Sequence, residues 1–285
     1  MSGSMNGRVC VVTGATHGIG VATARALAAQ GASVVVHGRD LARAEAVAAG
    51  LRRDTGNPEL RAVQADFSRL AEVRRLGAQL AGQLPRLDVL INNAGMMSAA
   101  RALSAEHYDL TFAVNHLAPF LLTHLLLDKL RASAPARVVV VASEAHRRAT
   151  LDFGDLMNQR VAGRWPAYNR SKLANVLFAR ELARRLAGSG VTVNALHPGV
   201  VDTHLFHDMP VPVRLALASV GRLFLLSPRR GAVTTVYLAS APELAGSSGG
   251  YYVRRRRVPP SAAAQNDADA GRLWQESLRL TGLAA

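Results

Sequence analysis

The sequence predicts an α/β domain built on a doubly wound parallel sheet. Three observations carry that expectation. Short apolar runs recur along the chain, alternating with long helical patterns. A glycine-rich turn, Thr13 to Gly20, joins the first apolar run to a helix. Ser143, Tyr168 and Lys172 then fall where the carboxyl edge of such a sheet meets the helix that follows, the edge at which open α/β sheets bind ligands. The alternation runs almost from end to end with no linker, repeat or low-complexity block, so residues 1–285 read as a single domain with a flexible 1–7 leader.

Arg8 to Val12 reads as a buried parallel strand. Gly14, Thr16, Gly18, Ile19 and Gly20 follow as a candidate pyrophosphate cradle. Glycine permits the tight turn and close backbone approach, and the N-terminus of the helix running to Gln30 offers free N–H groups. Ser33 to His37 is a second strand, ending in Gly38-Arg39-Asp40. An acidic tip suits the ribose diol of NAD, whereas an arginine suits the 2′-phosphate of NADP. Arg39, with His17 as a second donor, therefore favours NADP(H), the alternative being a mere surface charge. Asp40 reads as the N-cap of a helix from Leu41.

Arg61 to Ala65 is a third strand, leading to Asp66 and Phe67. Asp66 either accepts from an adenine amino group, with Phe67 packed nearby, or caps a helix from Ser68. Leu87 to Ile91 is a fourth strand, leading to Asn92, Asn93, Ala94 and Gly95. Small residues there admit a flat ligand, and Asn92 is expected to knit strand ends together. Ser104 to Arg131 reads as a long helix bent at Pro119. Asn115 lies in its apolar middle and needs a partner, structural or functional.

Arg137 to Ala142 is a valine-rich fifth strand with Ser143 at its carboxyl end. Tyr168 and Lys172 stand one turn apart on one face of the next helix. A nearby ammonium favours the phenolate, so the pair is a candidate acid/base device that Ser143 is positioned to meet. His146 reads as a solvated loop residue without chemistry. Val191 to Leu196 is a sixth strand, followed at the crevice edge by His197, Pro198, Gly199, Val200, Val201, Asp202 and Thr203. Residues 204–227, apolar but interrupted, read as a substrate lid or a buried dimer face. A helix from Ser227, a strand at Gly249 to Val253 and a tail from Pro259 complete the chain. The tail ends in an amphipathic helix around Leu273, Trp274, Leu278 and Leu280.

Composition narrows the function classes. A hydrophobic content of 49% excludes wholesale disorder. Cys10 is the only cysteine, which excludes an intrachain disulfide or a cysteine zinc site and suits a reducing cytoplasm. No histidine or carboxylate cluster has metal-ligand spacing. The most apolar segment is interrupted by Arg214 and Arg222, so no membrane anchor is expected. The formal charge of +14 raises a nucleic-acid partner, but the arginines are mostly scattered. The one dense run, Arg254 to Arg257, reads as a solvated segment. Preference for Arg over Lys suggests a GC-rich genome, such as an actinobacterium's.

Together, Thr13-Gly14…Gly18-Ile19-Gly20, Asp66, Asn92-Asn93-Ala94-Gly95, Asn115, Ser143, Tyr168/Lys172 and Pro198-Gly199 resemble the short-chain dehydrogenase/reductase family over nearly the whole chain. Gly38-Arg39-Asp40, Ser143-Glu144-Ala145-His146, Tyr168 to Asn175 and His197 to Val201 carry a finer resemblance to its retinol dehydrogenase-like branch. The resemblance implies a Rossmann fold with a seven-stranded parallel sheet. It implies Tyr168 as proton donor, Ser143 as the hydrogen-bond partner of the substrate oxygen, and Lys172 as ribose holder and depressor of the Tyr168 pKa. Asn115 would hold a water linked to Lys172, and Val201 and Thr203 would orient the nicotinamide. It also raises a homodimer or homotetramer through the helices after Ser104 and Pro166. The expected function is NADPH-dependent reduction of a ketone or aldehyde on a lipophilic small molecule, in secondary metabolism. The alternatives are a non-enzymatic NADP-binding regulator on the same fold and, from charge alone, a nucleic-acid binder.

Overall fold

The computed structural model describes residues 5–160, 163–200 and 226–284. The first half alternates β1 (Val9–Val12), α1 (Gly18–Ala29), β2 (Ser33–Gly38), α2 (Leu41–Thr55), β3 (Leu60–Gln64), α3 (Leu70–Gln83) and β4 (Val89–Asn92). Short helices α4 (Leu110–Phe112), α5 (Ala118–Leu125) and α6 (Leu127–Ala132) lead to β5 (Ala136–Val141), α7 (Arg164–Arg185) and β6 (Val191–His197). The described chain closes with α8 (Pro228–Ser240), β7 (Tyr251–Val253), β8 (Arg256–Arg257) and α9 (Asp267–Leu280).

The strands form one sheet in the order β3-β2-β1-β4-β5-β6-β7-β8. The order reverses beside β1, which opens a crevice at the carboxyl ends of β1 and β4. The valine-rich central strands are buried on both faces, as a sheet covered by helices on each side requires. Along β1, Val9 and Val11 pack into one core with Leu76, Phe120 and Leu177. Cys10 and Val12 pack into the other with Val34, Ile91 and Val139.

The expected seven-stranded parallel sheet gains an eighth strand. β8 pairs antiparallel to β7, with Tyr252 opposite Arg257 and Val253 opposite Arg256. The turn between them is Arg254-Arg255, at φ values of +49° and +66°. A two-residue hairpin needs positive φ at its turn, usually from Asn or Gly. Arginines at those positions gave no such signal, so the run looked like unstructured surface; its four residues are nevertheless exposed.

Other boundaries also move. Met5 is buried and its N–H donates to the Gln30 carbonyl at 3.1 Å, so residues 5–7 belong to the fold rather than to a leader. The helix expected from Ser68 starts at Leu70. The long helix expected from Ser104 is interrupted: His107 has φ +62°, Asp109 caps α4 at Phe112 N–H, and Ala113–Leu117 form a π-helical turn. Pro119 sits in the first turn of α5, where its missing N–H is tolerated. That missing N–H also deprives the Asn115 carbonyl of its ordinary helical donor. The lid assigned to 204–227 lies almost wholly outside the described residues.

α9 covers α5 and α7. The Trp274 ring lies 5.0 Å from Phe120 and 6.2 Å from Phe178, and the Arg185 guanidinium sits 4.5 Å above it. Among the described residues no helix is long and apolar enough to cross a membrane. Truncation of a buried tryptophan ordinarily costs about 3–5 kcal/mol. Trp274→Ala is therefore expected to lower unfolding free energy by about that amount in a urea titration.

Candidate active site

The crevice at the carboxyl edge encloses about 950 Å³, near the upper end of small-molecule sites. It gathers Gly14, Thr16, His17, Gly18, Ile19 and Gly20 with Arg39, Asp66, Phe67, Asn93, Ala94 and Gly95. Ser143, Tyr168, Lys172, Pro198 and Gly199 form its other end. Asn115 lies just behind the wall, and Val201 and Thr203 fall outside the described residues. A second cavity of about 740 Å³, at the opposite sheet edge, holds none of the expected residues.

At the first end, Gly14 has φ +62°, and a Cβ there would lie 2.8 Å from Ala94 Cα. A Cβ on Gly20 would lie 2.2 Å from the Gly14 carbonyl. The His17 side chain does not cap α1, whose first residues Gly18, Ile19 and Gly20 line the crevice where a helix N-terminus favours an anion. Asn93, rather than Asn92, knits this turn: its Nδ2 donates to the Thr13 and Gly14 carbonyls at 2.8 and 3.1 Å. Asn92 instead donates to Thr123 Oγ1 at 2.8 Å, tying β4 to α5.

Asp40 Oδ1 accepts the Arg43 N–H at 3.0 Å, as expected of the α2 cap. Arg39 is exposed at the crevice, and Arg43 joins it from the first turn of α2. Neither forms an ion pair among the described residues. Arg43 escaped the sequence reading, although it stands one helical turn beyond Arg39. Asp66 Oδ1 accepts the Ser68 N–H at 2.9 Å, so it caps a turn before the helix.

His37 was also missed. It is buried, accepts the Gly14 N–H on Nδ1 at 3.2 Å, and donates from Nε2 to the Ala65 carbonyl at 3.1 Å. Its ring stacks on Phe67 with centroids 4.5 Å apart. Burial pushes its pKa down to about 4, so it stays neutral. The available signal was a lone polar ring ending a valine run.

At the other end, Ser143 stands beside Tyr168, and its Oγ accepts the Ala145 N–H at 3.2 Å. Burial raises the Tyr168 phenol above its ordinary pKa, and the nearby Ser143 hydroxyl offsets part of that rise. In the protein alone the net shift of Tyr168 is therefore upward, set mainly by desolvation. Lys172 Nζ, 5.6 Å from the Tyr168 ring centroid, donates to the Val141 carbonyl at 3.1 Å. Asn115 Oδ1 accepts the Met96 N–H at 2.7 Å, and Nδ2 donates to the Met96 carbonyl and Ser171 Oγ at 2.9 Å each. A Cβ on Gly95 would lie 3.2 Å from Lys172 Nζ and 3.3 Å from Asn115 Oδ1, so only glycine fits between them easily. His146 is not solvated: it is fully buried, with Nδ1 donating to the Ser143 carbonyl at 2.7 Å and Nε2 accepting the Ser261 N–H at 3.1 Å. It holds the backbone that carries Ser143.

A glycine-turn cradle and a Ser-Tyr-Lys cluster on one parallel-sheet edge match a known family model, described as short chain dehydrogenase, over residues 8–211. The chain belongs to the short-chain dehydrogenase/reductase family. It is 47% identical over 283 residues to dehydrogenase/reductase SDR family member 13 of Bos taurus, covering 98% of this chain and 74% of that protein. It is 40% identical to human retinol dehydrogenase 14, covering 99% of this chain and 88% of that protein. Among solved structures, an uncharacterised Mycobacterium paratuberculosis protein superposes with a TM-score of 0.79 at 34% identity, over 98% of this chain and 94% of that one. The Pseudomonas aeruginosa RhlG/NADP active-site complex gives 0.71 at 28% identity, over 88% and 96%. As a member of this family the protein is an oxidoreductase acting on CH–OH/C=O groups. No group of three or more His, Cys, Asp or Glu side chains able to hold a metal occurs among the described residues.

Lys172 is buried and its pKa falls from 10.5 to about 8, through desolvation. Its charged form is thus penalised in the folded state and not in the unfolded one. The penalty is complete below pH 8 and relieved as pH rises from about 8 to 10.5. Lys172→Met removes it. The stability advantage of that variant over wild type is expected to shrink by about 2 kcal/mol between about pH 7.5 and 10, measured by denaturant unfolding without nucleotide.

Proposed function

We propose that the protein is an NADPH-dependent carbonyl reductase for a lipophilic small molecule. NADPH, when bound, supplies the hydride. Tyr168 then donates its phenolic proton to the oxygen of the ketone or aldehyde. Ser143 hydrogen-bonds the same oxygen as negative charge develops there. Lys172 holds the ribose hydroxyls and, in its charged form, favours the phenolate. The Asn115 carbonyl, lacking an ordinary helical donor, accepts a water that leads protons to Lys172. Pro198, Gly199, Val201 and Thr203 border the nicotinamide on this reading.

The fit of the cofactor rests on groups left wanting partners. The ammonium of Lys172 has three donors and one recorded acceptor, Val141 O, in a buried place. The α1 N-terminus has no side-chain cap. The observation that carries the NADP preference is the strand tip itself. Asp40 is engaged in capping α2, and Arg39 and Arg43 are the arginines beside the adenosine end. A lipophilic substrate is supported by Met96, Met97, Leu110, Val114, Trp165 and Val200 along the crevice. We assign the reaction to a reducing cytoplasmic setting, in secondary metabolism.

Two measurements test this. NADPH should bind tighter than NADH, and Arg39→Ala should erase roughly tenfold or more of that gap, the worth of a charge-assisted contact. Equal affinity for the two nucleotides would remove the NADP assignment. Tyr168→Phe should bind NADPH normally yet lose carbonyl turnover; full activity in that variant would end the proton-donor assignment.

A further inference from the structure

The π-helical turn that carries Asn115 also carries His116, and the mechanism above makes no use of it. His116 is fully buried. The rings of Phe112, Phe120 and Phe178 surround it at centroid distances of 5.0, 6.1 and 6.1 Å. An imidazole in such a cage is costly unless its nitrogens are satisfied. Nε2 lies 2.8 Å from Ser277 Oγ, on α9. Asn175, on α7, approaches the other side of the ring. Among the described residues neither His116 Nδ1 nor Asn175 Oδ1 makes a well-formed hydrogen bond, and the Asn175 side chain lies close enough to the ring to favour a proton on Nδ1. With Nδ1–H turned toward Asn175, Nε2 accepts from the Ser277 hydroxyl. This is the neutral tautomer, which burial also favours.

Three elements therefore meet at one ring. Asn175 lies one turn beyond Lys172 on α7, and Asn115 is the residue before His116. We propose that His116 is a positioning residue through which the C-terminal helix fixes the active site: Ser277 holds the ring, and the ring holds the Asn115 turn in register with the Lys172 helix. The tolerance is small. Asn115 Oδ1 and Lys172 Nζ both stand close to the one position that glycine occupies between them, Gly95. A shift of the π-helical turn displaces Asn115 relative to Lys172 directly. The inference rests on the carbonyl-reductase reading only in its catalytic consequence; the coupling itself is a statement about packing.

Ser277→Ala is the informative variant because α9 stays docked without the hydroxyl. Arg180 pairs with Asp267 at 2.6 Å, Trp274 remains among Phe120 and Phe178, and the Tyr108 hydroxyl donates to the Leu280 carbonyl at 3.1 Å. Ser277→Ala and His116→Leu are expected to lower kcat roughly tenfold or more. KM and NADPH affinity should stay within about twofold of wild type, and the kcat–pH profile should shift, because the Tyr168–Lys172 pair is displaced rather than emptied. Ser277→Thr, which keeps a hydroxyl, should recover most of kcat. Hydrogen exchange should rise in 96–98 and 113–118 in Ser277→Ala, whether or not any substrate is turned over. A folded Ser277→Ala protein with wild-type kcat and pH profile would overturn the proposal, as would unchanged exchange in those segments. If wild type itself reduces no carbonyl compound, the reductase reading fails, and exchange alone decides the coupling.

Discussion

The structure depends on holding one ammonium inside the protein. Lys172 is buried with a single recorded carbonyl partner, in a position that works against its charge. Such a group persists only where the surroundings over-determine it. Here they do so from several directions. α7 is fixed against β5 and β6, Val141 offers its carbonyl from the end of β5, and Gly95 leaves room that a methyl group would take. Ser171, the residue before Lys172, accepts from Asn115 and donates to the Tyr168 carbonyl. The helix bearing the Tyr-Lys pair is thus tied to the interrupted helix on its flank through side chains rather than through the sheet.

The nucleotide end is built by the same means. Four strand ends supply a loop each, and polar side chains stitch the loops to one another. Asn93 reaches from β4 to the turn after β1, and His37 reaches from β2 both to that turn and to the residue after β3. These bonds satisfy buried backbone groups that the sheet ladder no longer serves.

Much of this was legible in the sequence, for physical reasons that differ by residue. The glycine turn, Asp40 as a cap and the Tyr168–Lys172 spacing are local signals, decided within one turn of helix or one strand end. His37, Asn93 and His146 could not be read that way. Each acts on backbone that is distant in sequence, and a polar residue beside a strand looks the same whether it faces solvent or a neighbouring loop. The break in the helix after Ser104 was half visible. Pro119 marked a bend, but the left-handed His107 and the π-helical turn depend on packing that no local propensity announces. The eighth strand was hidden because arginines fill a turn that glycine usually fills.

The two titrating partners are poised oppositely in the protein alone. Burial raises the phenol of Tyr168 and lowers the ammonium of Lys172 to about 8, which penalises both charged forms while leaving the lysine mostly protonated at neutral pH. Above about pH 8 the pair is poorly armed, because a neutral amine does nothing to stabilise a phenolate. On the proposed reading, ribose hydroxyls at Nζ and the negative phosphates of the nucleotide restore the ammonium. Nucleotide binding then carries proton uptake with it above about pH 8, and in that range the lysine charge is regained with the nucleotide. Nucleotide binding thereby extends the charged form of Lys172 to higher pH, in the range where a lysine buried this deeply otherwise loses its proton.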